Sequence, residues 1–509
     1  MTIKDPGAPS LPAACPSLRT HTRRRALVSS PRMPSGFSSR VFPAFAVVVA
    51  GVLVLHGSAQ TIPTLAIVNV TVIDGTDARP AVANVIVREG LVRRVTTTAP
   101  PDGSTVVDGA GKFLIPGLWD MHVHLATRPE PELAEKTMLP MFLSHGIVGV
   151  RDMGGPLERL LSLRDRVERG DLNGPRIVTP GPFIDGSGEA GPMFRRPTTA
   201  AAASAFVDEL AAAGVDFIKV QAGLDPAVHA AVVSAARRRG LQVSGHVPMS
   251  MTAEQVLSGG QRSIEHVSPA LVADAMLLFS LSSRSAELLA ELRAIEAARA
   301  ATSPAATAAR EAALRRQLVS TYDPARARAL GRALHGKPVW IVPTLVWSRT
   351  LRPIARTEDG TSLPWALVPQ AAKDRWLARR AQYLAAATDE DLAADAAVAA
   401  VASRAVADLH TGGAAVLAGT DTFDAFVLPG ASLHEELRLL VAAGFTPLQA
   451  LQAATRDAAA FRGAGRTEGT IALGRRADLV LLSADPLHDI TNIARVEKVW
   501  IAGREAFGR

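Results

Sequence analysis

Between residues 118 and 421, short apolar runs alternate with longer Ala- and Leu-rich stretches. The runs are Leu118–His124, Ile147–Asp152, Arg176–Pro182, Phe217–Gln221, Gln242–His246, Ser263–His266, Val339–Leu345 and Ala414–Asp421. Apolar runs of this length, spaced by helical patterns, read as buried parallel strands with helical crossovers. Eight in series predict an α/β fold, a (β/α)8 TIM barrel over residues 116–466. The stretch 274–335 is longer than one crossover requires and is rich in Ala, Arg, Leu and Glu. It reads as a helical insertion after the sixth strand, either a cap over the active site or an ordinary solvated hairpin.

The ends of the chain carry a different pattern. Leu65–Asp74 is apolar and β-branched, and Ala83–Val95 sets Glu89-Gly90 between Val- and Ile-rich arms, a hairpin signal. Gly469–Ser483 and Val496–Phe507 are also strand-like, with Ala502-Gly503 as a turn. Residues 60–115 and 467–509 most economically pair into one small composite β-sandwich domain, with the barrel inserted between them.

Composition narrows the class. A chain of 509 residues, 48% hydrophobic, is long enough for a large core, and neither disorder nor coiled coil describes it. The lone Cys15 excludes a disulfide scaffold. The net charge of +7 suggests nucleic acid, but residues 1–59 hold seven Lys/Arg and one acid. The remainder has 48 basic against 47 acidic residues and offers no footprint for nucleic acid. Arg40 precedes an apolar stretch, Phe42–Leu55, followed by Gly57-Ser58-Ala59. This is the layout of a leader and signal peptide over residues 1–59, with Met33 an alternative start. It predicts a secreted or periplasmic protein without stable membrane insertion. An uncleaved anchor is the other reading, although the run is shorter than the roughly 20 residues a spanning helix needs.

Candidate chemistry sits at the strand ends. In Trp119-Asp120-Met121-His122-Val123-His124 the two histidines lie at i and i+2 of one strand and project to one side, a half-site for Zn²⁺. Lys219 stands in the run Phe217–Gln221 and His246, His266 and Asp421 close three others, toward the face of a barrel where active sites are built. His145, Arg151 and His434 are further candidates for holding a substrate. The alternative for each is structural: an Arg151–Asp152 network, a helix-end His145 and a helix-capping His434. His229, His335, His410 and His488 fall in helical or loop contexts and read as structural or exposed.

These residues, together with Val148-Gly149-Val150-Arg151-Asp152-Met153-Gly154-Gly155 and the tract from Glu435-Glu436-Leu437 through Ala443-Gly444-Phe445-Thr446-Pro447 to Ala453-Ala454-Thr455, resemble the amidohydrolase superfamily. The likeness is to its imidazolonepropionase- and prolidase-related branch. It implies a binuclear site, with His122, His124 and Asp421 on the more buried metal ion and His246 and His266 on the outer one. It further implies that Lys219 carries a carboxylate, as N6-carboxylysine, bridging both ions. A protonated Lys219 above a mononuclear site is the alternative. Zn²⁺ is the default for such donors, although Mn²⁺, Co²⁺ and Fe²⁺ suit them too. The implied reaction is hydrolysis of an amide C–N bond in a small-molecule substrate, by a metal-bridging hydroxide with Asp421 as general acid–base. The same site suits a lactone, an ester or a phosphotriester. A barrel without activity, serving as a binding module, would have lost ligands, and all six positions are filled. Prolidase-like relatives often place a Tyr soon after the fifth-strand His; here Val247–Thr252 contains none. A homo-oligomer is compatible with the sequence.

Overall fold

A computed structural model describes residues 64–508 apart from 128–131, 187–189, 268–274, 351–367 and 387, and these residues fall in one compact unit. The expected leader and signal peptide, residues 1–59, lie outside the described residues.

Five strands open the described chain: β1 Leu65–Val72, β2 Ala81–Arg88, β3 Leu91–Thr96, β4 Thr105–Asp108 and β5 Phe113–Pro116. The barrel region then supplies β6 Leu118–Val123, β7 Ile147–Asp152, β8 Arg176–Val178, β9 Phe183–Ile184, β10 Phe194–Arg195, β11 Ile218–Val220, β12 Val243–Gly245, β13 Ser263–Glu265, β14 Trp340–Val342 and β15 Ala415–Val416. Three strands close the chain: β16 Leu479–Leu482, β17 Val496–Ile501 and β18 Arg504–Gly508.

The first five strands and the last three share one sheet, in the order β18-β17-β16-β5-β1-β2-β3 with β4 on β1. The two chain ends meet where β5 pairs antiparallel with β16, Leu114 opposite Leu481. Alternation divides these strands between two cores. Leu114, Leu479 and Leu481 join Ile67, Val85 and Trp500 in a cluster of the sheet's own, whereas Ile115, Val480 and Leu482 enter the main core. Both expected hairpin turns occur: Glu89-Gly90 and Ala502-Gly503 each hold two successive positive φ values, the conformation of a tight two-residue hairpin. The C-terminal expectation was too long, since only Leu479–Leu482 of Gly469–Ser483 is strand.

All eight expected barrel strands are present as a parallel ring. Pairings run β6-β7-β8 and β9-β11-β12-β13-β14-β15. A parallel bridge between Val123 and Thr422, with Met121 N donating to Ala418 O at 3.0 Å, joins the last strand to the first. The third run, Arg176–Pro182, is strand only over β8, which pairs with β7; β9, just beyond the run, pairs with β11. The break falls at Pro180-Gly181, where proline has no N–H for the ladder.

Between β13 and β14 lie helices Met276–Ser280, Ser285–Ala298, Pro304–Thr321 and Pro324–Leu334. Their Leu288, Leu292, Ile295, Leu314 and Leu318 are buried in the main core, so this segment is packed rather than solvated. A second helical stretch, not anticipated, follows β14 as Leu345–Thr350, Gln370–Ala386 and Asp389–Thr411. No helix among the described residues is long and apolar enough to cross a membrane.

Candidate metal centre

The C-terminal ends of the barrel strands bring histidines and an aspartate together. His122, His266 and Asp421 each offer a ligand atom within 4.8 Å of the others'. The Nε2 atoms of His122, His124 and His266 lie 3.5, 3.1 and 4.0 Å from Asp421 carboxylate oxygens. His246 adjoins them, its ring centroid 4.9 Å from that of His266. Lys219 is buried within this group, and its charge acts on His122, His124 and His246.

The other ring nitrogens settle which way these imidazoles face. His122 Nδ1 is 3.0 Å from Glu265 Oε2, and His124 Nδ1 is 3.2 Å from the Gly154 carbonyl. Carboxylate and carbonyl oxygens only accept, so each Nδ1 carries a proton and Nε2 is the atom turned toward the centre. His266 Nδ1 pairs with Thr344 Oγ1 at 2.7 Å. Three Nε2 atoms thus aim at one carboxylate, and His122 Nε2 is buried with no hydrogen-bond partner. A lone pair facing a carboxylate repels it; a cation between them satisfies both. The donor set therefore fits a divalent metal ion.

Electrostatics agree. Burial, aided by the Lys219 charge, pulls His122 down to about 4, which keeps the ring neutral. Burial alone would raise the Asp421 carboxyl, but sharing positive charge with the His122, His124 and His266 rings outweighs it and holds it well below the usual carboxylate range. Burial lowers His124, yet the hydrogen bond and charge of Asp421 prevail and raise it, so this carboxylate calls for a proton or a cation beside it. His266 and Asp421 both have positive φ, as does Thr344. Backbone strain of this kind gathers where side chains must be aimed.

Three groups here went unnoticed in the sequence. Glu265 holds His122. Thr344 holds His266. Asp120 accepts from Thr420 Oγ1 at 2.7 Å, Thr420 N at 3.1 Å and His122 N at 3.2 Å, tying the His122 strand to the segment that carries Asp421. Asp120 had a readable signal, because it lies at i−2 from His122 and so shares its face.

The three weaker candidates fall elsewhere. Arg151 is fully buried and spends its donors on Glu265, Met121 O, Ser244 and Ser263 rather than facing a substrate. His145 and His434 pair with each other: His434 Nε2 donates to His145 O at 2.8 Å, and His145 Nδ1 to Met141 O at 2.7 Å. They pin the end of helix Leu139–Ser144 to the start of helix Ala431–Ala442. Asp152 accepts from Leu125 N and Gly154 N at 2.7 and 2.9 Å, steadying the loop carbonyl that His124 uses.

Residues 113–506 match the amidohydrolase family, and the chain belongs to that family. It is a metal-dependent hydrolase acting on carbon–nitrogen bonds. Solved structures share its fold. Bottromycin amidohydrolase aligns at 23% identity and a TM-score of 0.66, covering 87% of this chain and 86% of its own. A prolidase complexed with N-methylphosphonate-L-proline aligns at 20% and 0.60, covering 88% and 100%. Ochratoxinase from A. niger aligns at 19% and 0.58, covering 88% and 96%. A search of curated protein sequences gives no match.

Proposed function

We propose that this protein is an exported binuclear hydrolase that cleaves an amide bond, linear or cyclic, in a small-molecule substrate. His122, His124 and Asp421 would hold the more buried ion, His246 and His266 the outer one, and a carboxylated Lys219 both; nitrogen-rich donors favour zinc. Bound there, the ions lower the pKa of water toward about 7 and polarise the scissile carbonyl. The single observation that carries the reading is the convergence of three Nε2 atoms on the Asp421 carboxylate, each ring held by its Nδ1.

The burial of Lys219 supports its modification. An ammonium group there opposes both its own desolvation and the arrival of further cations. Reaction of neutral Nζ with CO2 forms an N–C bond and releases one proton. It turns that group into an anion with two oxygen donors. Asp421, whose carboxyl lies well below the usual range, is placed to take a proton from the attacking water and pass it to the leaving amine.

Metal counting and turnover of N-acyl amino acids, X-Pro dipeptides, lactones and phosphotriesters test the proposal. Two ions per chain and amide cleavage are expected, with Asp421→Asn lowering kcat by about 10²–10⁴. Full activity in Asp421→Asn refutes the mechanism, and faster turnover of a lactone or phosphotriester reassigns the bond.

A further inference from the structure

Inside the barrel, beneath the histidines, lies a buried ion pair that the reaction does not use directly. Glu265 and Arg151 are both almost wholly buried, with Arg151 Nη2 donating to Glu265 Oε2 at 2.7 Å. That same oxygen accepts from His122 Nδ1 at 3.0 Å. Ser263 Oγ donates to the other carboxylate oxygen. Arg151 Nε donates to Met121 O at 2.6 Å, and Nη1 reaches Ser244 Oγ and Ser263 Oγ at 3.4 and 3.3 Å. The guanidinium lies over the Phe461 ring at 4.9 Å. One cation on β7 therefore touches β6, β12 and β13, and the carboxylate it holds touches His122.

We propose that Glu265 and Arg151 form a positioning pair that fixes the ring orientation and Nδ1–H tautomer of His122 and so sets the affinity of the centre for its buried ion. This rests on the metal-centre reading above. The carboxylate acceptor makes Nε2 the better electron donor, as ligand–carboxylate pairs do in metal sites. Arg151 cancels the charge of Glu265, so the pair aims His122 without adding a net charge beneath the ions. Its five donors in a fixed fork suit it to hold a carboxylate in one plane. Glutamine at 265 still accepts, but it loses the charge and can turn its amide NH₂ toward Nδ1, which frees the other tautomer.

The test is Co²⁺ titration of the metal-depleted protein, read by visible absorbance and by metal content after dialysis. It compares wild type, Glu265→Gln, His122→Ala and Ser263→Ala. Ser263→Ala only removes a hydroxyl that steadies the carboxylate, so it keeps the question open should Glu265→Gln not fold. We expect Glu265→Gln to bind Co²⁺ about 10–100-fold more weakly than wild type, with a shifted d–d spectrum. Ser263→Ala should shift in the same direction by a smaller factor. A purely structural role for the pair would lower thermal stability and leave the Co²⁺ spectrum of the folded variant unchanged. Wild-type affinity and spectrum in Glu265→Gln, or in Ser263→Ala should the first not fold, overturn the proposal. A wild type that binds no Co²⁺, or a His122→Ala variant that binds it as tightly, overturns instead the metal centre on which it rests.

Discussion

Replacing Gly419 by alanine should weaken metal binding without removing a ligand. A Cβ at 419 would stand 2.9 Å from both Cβ and N of His122 and 2.7 Å from Val342 Cγ1. Carbon atoms sit comfortably at about 3.5–4.0 Å, so the strands must part by about 0.6 Å or more. They cannot part freely, because Asp421 N donates to His122 O at 2.7 Å and Met121 N to Ala418 O at 3.0 Å. Overpacking of this kind costs about 1–3 kcal/mol. Metal–ligand distances tolerate only about ±0.2 Å, so His122 and Asp421 would no longer meet one ion. Zn²⁺ affinity should fall at least about tenfold, the scale seen when supporting groups around a metal are disturbed. Gly191→Ala is the control, since among the described residues nothing lies within 4 Å of a Cβ there and its φ is outside the left-handed region. The assay is competitive Zn²⁺ titration against a chromophoric chelator, with urea unfolding of the metal-free proteins to separate stability from affinity. Wild-type affinity in Gly419→Ala would refute the claim that backbone contact between these two segments sets the ligand geometry.

Removing the ions should lower the melting temperature in proportion to ligand linkage, about 2.7 kcal/mol at a free ion concentration 100 times Kd; identical melting curves with and without chelator would contradict a native-state site. Glu468 gives an acid-sensitivity prediction. Burial opposes its ionisation, but Arg176 and Arg462 prevail and hold its carboxyl at about 2. A depressed carboxyl contributes stability in full above its ordinary value of 4.5 and loses it as pH falls through the folded value. The difference in urea midpoint between wild type and Glu468→Gln should therefore narrow from pH 4.5 down to about 2, and a gap that stays constant across that window contradicts the assignment. Gly149→Ala should destabilise the fold more than Gly419→Ala, because its Cβ would fall 2.1 Å from the Trp119 ring, which Arg462 covers at 3.3 Å; equal urea midpoints would refute this.

How far the sequence reached depended on how local each signal was. The pair His122 and His124 was legible because alternation along one strand needs no partner. Lys219, His246, His266 and Asp421 were legible because each stands in or ends an apolar run. Glu265 was not, because alternation puts it on the opposite face from His266. The positive φ at His266 takes that residue out of the strand geometry, and both side chains then reach His122. Arg151 read either as a substrate contact or as half of an Arg151–Asp152 network; its carboxylate partner, Glu265, lies 114 positions away and is invisible to any local pattern. The second helical stretch after β14 was likewise missed, as its Ala-rich helices read as an ordinary crossover.

The sequence by itself determined the alternation of barrel strands with helices, the joining of the two chain ends into one β-domain, and the residue types that stand at the strand ends. Those follow from periodicity and turn chemistry, which act over a few residues. Only the tertiary structure decided which nitrogen of each imidazole faces the centre, which of the candidate polar residues brace the scaffold, and how the ladder breaks between β8 and β9 at Pro180-Gly181. The reason is physical. A tautomer or an ion pair is chosen by the one acceptor within about 3 Å, and in this barrel that acceptor comes from a strand far away in the chain.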